Sequence, residues 1–246
     1  MNSLPKIAVF GGTFDPPHIG HVEAILGLTE NPGIHRFRII PAGAPRLKLS
    51  SPTASPEQRL QMLRLTFDGW NSGKVTGIDA LQIDDREIER VRRSGEPTRT
   101  RDTLMELKQT LGTDFAWVIG TDQLAQLHSW FGFPEILNLC HWIVLDRKHT
   151  PTEVRHAAEN QISSLIQSGL LLSRETTSDS PLWTCSANGK STFRWVPTSA
   201  RGISSTEIRA DLAKLGNHSR FLGHEVPENL ARYLKSQSLY GTAPDA

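Results

Sequence analysis

The stretch IAVFGGTFDPPHIGH, residues 7–21, decides the fold of this 246-residue chain. Its first four residues are apolar and predict a buried strand. Gly11 and Gly12 follow, and because neither has a Cβ, the backbone there can pass close to a bulky ligand. From Ile19 onward the apolar residues recur at helical spacing, after two prolines that suit the start of a helix. A strand, a glycine turn and a helix in this order predict an α/β protein.

The same alternation of strands and helices continues outward from this stretch. Short apolar runs predict further strands at 37–40, 115–119 and 143–145, with helical patterns between them. Near the C-terminus, Pro227 begins one more helix. We therefore expect a Rossmann-like, doubly wound parallel sheet with a small helical C-terminal part.

Local signals predict where several helices begin and end. Ser55 and Gln58 have the spacing of a capping box, and Asp102 is expected to cap a helix that ends at Gly112.

The stretch 84–101 contains six arginines. We expect it to be a solvated surface hairpin or loop, with RNA contact as the alternative.

Length and composition bound the class of protein. A chain of this size fits one domain over 1–246, with 148–192 as a candidate insertion and 204–240 as a helical C-terminal subdomain. Its 37% hydrophobic and 22% charged residues are ordinary for a globular protein. The net charge of +1 gives no global field for nucleic acid, so we expect no nucleic-acid partner.

Cysteine usage and the N-terminus point to the cell interior. The two cysteines, Cys140 and Cys185, do not form a CxxC motif, so neither a zinc site nor a disulfide framework is indicated. The apolar run at 7–10 is too short for a secretory signal or a membrane span. We expect a cytoplasmic protein with no membrane partner.

The first stretch also carries chemistry. His18 and His21 are three residues apart and share one face of the first helical turn, where helix N–H groups favour an anion such as phosphate. The spacing of the glycines from Gly11 onward does not match the G-x-G-x-x-G fingerprint of dinucleotide-binding loops. Two alternatives stay open for the histidines alone. One is a metal pair, which would favour i, i+4 spacing and a third ligand; the other is two unrelated histidines.

A second motif, ISSTEIR at 203–209, has similar chemistry. Ser204 and Glu207 predict a capping box at another helix start. Three hydroxyl groups and Arg209, one turn into the helix, supply further donors for an anion. An ordinary capped helix with a surface arginine is the alternative, but capping does not require Arg209.

These two motifs, in this order, resemble those of the nicotinate-nucleotide adenylyltransferases in the nucleotidylyltransferase superfamily. The similarity covers nearly the whole chain except about 148–192. Weaker pieces of it lie at 45–48, 87–90, 100–104, 120–124, Trp130, Arg147, 226–227 and 239–240.

The resemblance implies an enzyme of NAD biosynthesis. It would transfer AMP from ATP, accompanied by Mg²⁺, to nicotinic acid mononucleotide, giving nicotinic acid adenine dinucleotide and pyrophosphate. Its partners would be these two substrates, and a homo-oligomer is left open. The motifs contain donors and cations but no nucleophilic triad, as positioning and charge stabilisation in phosphoryl transfer require.

The resemblance also assigns the site residues, with no metal ion held by the protein itself. The implied catalytic residues are His18, His21 and Arg209. The implied ATP-binding residues are Gly11, Gly12, Thr13, Phe14, His18, His21, Asp122, Arg147, Ser204, Ser205 and Arg209. The implied acceptor-binding residues are Lys48, Thr100, Trp130 and Phe131, with Trp130 stacking on the nicotinate ring.

The acceptor side departs from the family pattern. Arg99 stands where the family often has a tyrosine, and Arg46 and Leu47 stand where a proline and a histidine are common. Sequence does not decide whether Arg99 attracts a carboxylate or points to water.

Three alternative functions remain: adenylyl transfer to another phosphorylated acceptor (nicotinamide mononucleotide or phosphopantetheine), a class I aminoacyl-tRNA synthetase, and a catalytically silent nucleotide-binding regulator. The second would need a Lys-Met-Ser-Lys-Ser segment, which the sequence lacks.

Overall fold

A computed structural model describes residues 5–30, 33–44, 53–68, 70, 75–173 and 181–244. Its strands, in chain order, are β1 (Ile7–Gly12), β2 (Arg36–Pro41), β3 (Ala80–Ile83), β4 (Phe115–Gly120), β5 (His141–Lys148), β6 (Leu171–Ser173), β7 (Leu182–Cys185) and β8 (Thr192–Arg201). They form one sheet in the order β3-β2-β1-β4-β5-β8-β7-β6. The first six strands in that order are parallel, whereas β7 and β6 run antiparallel at one edge.

Helices cover both faces of the parallel part. They are α1 (Ile19–Thr29), α2 (Pro56–Thr66), α3 (Arg86–Ser94), α4 (Thr100–Leu111), α5 (Thr121–Ala125), α6 (Thr152–Gln167), α7 (Ser205–Leu215) and α8 (Glu228–Ser236). Ala8 of β1 packs with α1 on one face, and its neighbour Val9 packs with α4 and α6 on the other. Successive strand residues point to opposite faces, so a continuous apolar run is buried on both. The predicted doubly wound parallel sheet is confirmed.

The C-terminal helices build a third apolar cluster. Ile208 and Leu212 of α7 pack with Leu230 and Leu234 of α8 and with Met62 of α2. Because α2 also contributes Leu63 to the core under the sheet, these helices are held against the sheet layer. Residues 148–192 include α6 and the antiparallel strands β6 and β7. The domain boundaries, with an insertion at 148–192 and a subdomain at 204–240, stay predictions.

The expected surface loop at 84–101 is wrong. Residues 86–94 form α3, and Gly95 ends this helix with a positive φ of 70°. Its arginines pair with carboxylates: Arg86 lies 2.7 Å from Asp84, and Arg90 lies 2.8 Å from Glu106 of α4. Half of the arginine-rich stretch is therefore a helix whose arginines Arg86 and Arg90 are ion-paired.

Of the two helix starts predicted above, at Ser55 and Asp102, one needs correction. Asp102 lies in the first turn of α4, and Arg99 is the N-cap residue. In that position an aspartate stabilises the helix through its dipole rather than as a cap. Ser55 and Gln58 do form the predicted capping box at α2.

No helix in the described part of the chain is long and apolar enough to cross a lipid bilayer.

Candidate active site

The carboxyl ends of the central parallel strands carry the predicted motifs. In the register of β1 and β2, Gly11 is opposite Ile40 and Gly12 is opposite Pro41, so both strands end at one level. The loop after β1 leads into α1, with His18 as its N-cap residue in extended conformation. Gly11 is required here, because a Cβ at this position would lie 2.3 Å from the ring of Trp117 on β4.

The two histidines of the first motif form one compact pair. Their ring centroids lie 3.8 Å apart. The backbone N–H of His18 donates to Nδ1 of His21 at 3.1 Å. Because Nδ1 accepts, the neutral imidazole of His21 carries its proton on Nε2. The hydrogen bond thus sets the tautomer that presents an Nε2–H donor.

His18 is buried, with only 1% of its surface exposed. Among the described residues, no hydrogen-bond partner faces its Nδ1. Burial and, to a lesser degree, the positive charge of Arg147 lower the pKa of His18 from 6.5 to about 3. His18 is therefore a neutral imidazole at physiological pH, and its proton is available as a hydrogen-bond donor rather than as a charge.

Acid is expected to lower the unfolding free energy of the unmodified chain more than that of a His18→Gln variant. Below pH 6.5 the unfolded chain binds a proton that folded His18 rejects, so the penalty is absent above pH 6.5 and grows as the pH falls toward 3. Between pH 7 and pH 5 the unfolding free energy of the unmodified chain should fall by about 2 kcal/mol more than that of the variant. Urea unfolding of both proteins at both pH values measures this difference. Equal pH dependence would contradict the burial argument.

The second motif docks directly onto the loop of the first. Nη1 of Arg209 donates to the carbonyl oxygen of Asp15 at 2.6 Å, and the hydroxyl of Ser205 donates to the carbonyl oxygen of Pro16 at 2.8 Å. The start of α7 therefore lies beside the loop that leads to His18. The structure brings together two motifs that are almost two hundred positions apart.

The cap of α7 is simpler than predicted. The hydroxyl of Ser204 accepts the backbone N–H of Glu207 at 3.1 Å, but the returning bond from Glu207 to the Ser204 backbone is absent from this helix start. The predicted capping box is thus only half formed. The carboxylate of Glu207 instead lies 3.7 Å from the guanidinium of Arg220.

Asp15 is the buried centre of the contact between the motifs. Its carboxylate accepts the backbone N–H groups of Thr53 at 2.9 Å and Ala54 at 3.1 Å, and the hydroxyl of Tyr240 at 2.6 Å. Burial and this hydrogen bond raise the pKa of Tyr240 far above its usual value, so the hydroxyl remains a donor. The carboxylate holds the loop between β1 and α1 against two distant segments.

Asp122 and Arg147 lie together at the ends of β4 and β5. A Cβ built on Gly120 would be 2.4 Å from Oδ1 of Asp122 and 3.9 Å from Nη2 of Arg147. The exposed carboxylate of Asp122 thus lies over the glycine, within reach of a half-buried guanidinium. Arg147 is also close enough to His18 to lower its pKa, which connects this pair to the histidines.

A cavity of about 510 Å³ opens beside these residues. It contains both the glycine turn and most of the predicted acceptor residues. Its lining residues are Gly11, Gly12, Thr13, Ile40, Ala42, Glu87, Thr98, Arg99, Thr100, Trp117, Gln123, Ser129, Trp130 and Phe131. Trp130 is half-buried and packs edge-to-face on Trp142, with ring centroids 6.4 Å apart. It is both a packing residue and a wall of the cavity.

Several predicted residues lie elsewhere. His18, His21, Asp122, Arg147, Ser204, Ser205 and Arg209 do not line the cavity. We call these seven residues the polar half of the site: Arg209 and Ser205 contact the loop that precedes His18, and Arg147 lies close enough to His18 to lower its pKa. Lys48, together with Arg46 and Leu47, falls outside the described residues.

Comparison with known proteins identifies the family. The family model described as cytidylyltransferase-like matches residues 9–211. A probable nicotinate-nucleotide adenylyltransferase of Pseudomonas putida (strain W619) is 33% identical over 240 residues, which cover 97% of this chain and 96% of that protein. The chain belongs to the nicotinate-nucleotide adenylyltransferases of the cytidylyltransferase-like family. A probable nicotinate-nucleotide adenylyltransferase of Hahella chejuensis (strain KCTC 2396) is 34% identical over 244 residues and 98% of each chain.

Solved structures agree on the fold of this adenylyltransferase family. The nicotinic acid mononucleotide adenylyltransferase of Plasmodium falciparum complexed with NaAD superposes with a TM-score of 0.64 at 16% identity. The same protein complexed with APC gives a TM-score of 0.62 at 15% identity. Each covers 95% of this chain and 96% of the Plasmodium chain. The resemblance inferred from the two motifs is confirmed, and the chain is a nucleotidyltransferase.

Nucleotidyltransferases generally use a divalent metal ion together with ATP. Within the described ranges, no three His, Cys, Asp or Glu side chains of this adenylyltransferase are grouped to hold a metal ion. Mg²⁺ typically keeps several waters and binds through substrate phosphates and one or two carboxylates.

Among the charged residues of this adenylyltransferase site to which sequence reasoning gave no role is Arg59. It is fully buried, and its guanidinium donates to the carbonyl oxygens of Thr13 at 3.0 Å, Ala42 at 2.6 Å and Gly43 at 3.1 Å. It thereby ties the loop after β1 to the loop after β2 beneath the cavity. An arginine immediately before Leu60 and four residues before Leu63, on the apolar face of α2, was the signal that could have found it.

Proposed function

We propose that this chain transfers AMP from ATP to nicotinic acid mononucleotide, forming nicotinic acid adenine dinucleotide and pyrophosphate in NAD biosynthesis. The observation that carries the proposal is the docking of Arg209 and Ser205 onto the loop that precedes His18. This contact gathers the donors of both motifs beside an aromatic cavity. A site with two halves suits a reaction that joins two nucleotides.

The reaction needs little acid–base chemistry. A phosphate oxygen of the mononucleotide, already ionised at neutral pH, attacks the α-phosphorus of ATP. The bond from that phosphorus to the oxygen bridging to the β-phosphate breaks, and its electron pair leaves with pyrophosphate. Catalysis is then mostly positioning and stabilisation of the charge that develops on the phosphoryl oxygens. Mg²⁺ enters with ATP and neutralises part of that charge.

The polar half of the site would take the triphosphate. The imidazole of His18, which is neutral at physiological pH, and the imidazole of His21 act as N–H donors to the α-phosphoryl oxygens, where negative charge grows in the transition state. Arg209, Ser204 and Ser205 hold the β- and γ-phosphates and the departing pyrophosphate. Arg209 is anchored by the Asp15 carbonyl, so little entropy is lost when it binds phosphate.

The rest of the nucleotide would lie along the sheet edge. The backbone of Gly11, Gly12, Thr13 and Phe14 lines the path of ATP, since the glycines leave room for a ligand. Asp122 contacts the ribose hydroxyls, and its carboxylate is exposed at the end of β4. Arg147 adds positive charge between the ribose and the phosphates.

The cavity would take the mononucleotide. Trp130 stacks on the nicotinate ring, and the backbone N–H groups near Thr100 and Phe131 receive its carboxylate. Both residues line the cavity with Trp130. Lys48 remains proposed for the acceptor phosphate on the resemblance alone.

A direct test is to mix the protein with ATP and Mg²⁺ and to measure pyrophosphate with each acceptor in turn. Nicotinic acid mononucleotide should give pyrophosphate, and nicotinamide mononucleotide and phosphopantetheine should give much less. Turnover of another acceptor in its place would contradict the acceptor assignment. ATP binding without pyrophosphate release from any acceptor would favour the silent regulator instead.

A further inference from the structure

The cavity has one basic wall. Arg99 is the only cationic residue among the described cavity-lining positions, and the only acid among them is Glu87. Glu87 is buried, and its Oε1 accepts the hydroxyl of Thr103 at 2.6 Å. The two charged side chains are therefore engaged with different neighbours rather than with each other.

Arg99 differs from three of the arginines that precede it. Arg86, Arg90 and Arg92 each lie within 2.8 Å of a carboxylate. Within the described residues, the guanidinium of Arg99 has no carboxylate partner. Its carbon Cζ instead lies 4.0 Å from the centre of the Phe131 ring, which also lines the cavity. A cation–π contact uses the face of a guanidinium and not its N–H donors, which lie in the plane of the guanidinium itself and stay available to an anion.

An arginine at position 99 is unfavourable for the stability of α4. It is the N-cap residue of α4, next to the positive end of the helix dipole, and it offers no acceptor for the first backbone N–H groups. Asn, Asp, Ser or Thr would stabilise this helix start. A cation that weakens the helix yet faces an aromatic cavity is consistent with a role in binding an anion.

We infer that Arg99 is a specificity-determining residue that selects an acceptor bearing a ring carboxylate over the corresponding amide. This inference rests on the proposed function and concerns the guanidinium, in addition to the backbone N–H groups near Thr100 and Phe131. The aromatic side chains Trp117, Trp130 and Phe131 provide apolar walls that suit a planar ring. In such surroundings a charge-assisted hydrogen bond to a carboxylate is strengthened, whereas a neutral amide gains much less.

The two mononucleotides distinguish a carboxylate contact from a phosphate contact. Nicotinic and nicotinamide mononucleotide share the same phosphate and differ only in the ring substituent. Arg99→Gln should lower kcat/KM for nicotinic acid mononucleotide by about 10- to 100-fold and leave the value for the nicotinamide compound within about threefold. Arg99→Lys should recover part of the loss, since it keeps the charge without the planar fork.

The matched control is Arg101→Gln. Arg101 lies over the same ring, with Cζ 5.0 Å from its centre, but it does not line the cavity. The Arg101→Gln variant should keep the preference between the two acceptors within about twofold of the unmodified value, if the effect of Arg99→Gln depends on hydrogen-bond geometry rather than on net charge. An equal effect of the two variants would overturn the inference, as would equal losses with both acceptors in Arg99→Gln.

Calorimetric titration with each mononucleotide separates this inference from the proposed function. Arg99-dependent preference for the nicotinic compound in binding, without any pyrophosphate release from ATP, would contradict the proposed function and support the inference. Pyrophosphate release from the nicotinic compound with an unchanged preference in Arg99→Gln would support the function and overturn the inference. Failure of the unmodified chain to bind the nicotinic compound more tightly than the nicotinamide one would also overturn it.

Discussion

Replacing His21 by alanine is expected to lower kcat by about 10²- to 10³-fold, with less than about a threefold change in the KM for ATP. Because Nδ1 of His21 accepts the His18 N–H, its Nε2–H is a donor of fixed direction. A preorganised donor acts mainly on charge that develops in the transition state, so its loss appears in kcat. Steady-state rates with ATP varied at saturating acceptor measure both quantities.

The control for this prediction is His156→Ala, which removes an exposed imidazole from α6. It should leave kcat and KM unchanged. His21→Asn keeps a side-chain amide that can both accept and donate, so it should retain more activity than His21→Ala. If the KM for ATP rises as much as kcat falls, His21 contributes to ground-state binding instead, and the proposed role is wrong.

Removal of the Asp15 carboxylate is expected to give the largest loss of stability. Asp15→Ala leaves the part-buried N–H of Thr53, the buried N–H of Ala54 and the buried hydroxyl of Tyr240 without their acceptor. Hydrogen bonds to a charged group contribute about 1.5–3 kcal/mol each, and an orphaned buried donor adds a further penalty. We expect the free energy of unfolding to fall by about 3–5 kcal/mol, measured by urea denaturation.

Tyr240→Phe provides a matched partner for a double-mutant cycle with Asp15→Ala. Alone it should lower the free energy of unfolding by about 1–2 kcal/mol, because it removes one hydrogen bond and keeps the ring. Added to Asp15→Ala it should have almost no effect, since its acceptor is already gone. Strictly additive losses would show that the hydroxyl and the carboxylate act independently.

The central strands could be predicted because their apolar runs are local and buried on both faces. β8 could not, since Pro197 within it argues against a central strand. The structure explains the exception: β7 pairs with β8 from Thr192 to Arg194, so among the described strands Pro197 has a partner only on the β5 side. The helix at 86–94 was missed because some of its carboxylate partners, such as Glu106, lie on another helix.

The candidate site was predictable where its residues lie within one turn of a helix. His18 with His21 and Ser204 with Arg209 are such local sets, and their residue types indicate phosphate. Asp15 was quoted in the first motif but received no role, because its partners lie 38 to 225 positions away. Long-range hydrogen bonds of this kind have no periodic signature in a sequence.

The bond between Asp15 and Tyr240 also bears on how the protein is made. The ribosome adds Tyr240 225 residues after Asp15, and at typical rates of about 5–20 residues per second this takes about 10–45 seconds. Arg209 also follows 194 residues after the carbonyl that anchors it. During that interval the sheet can begin to form while the first motif still lacks both contacts. The last strand of the parallel sheet, β8, ends at Arg201, so a nascent chain can complete that sheet before it forms either contact and acquires activity.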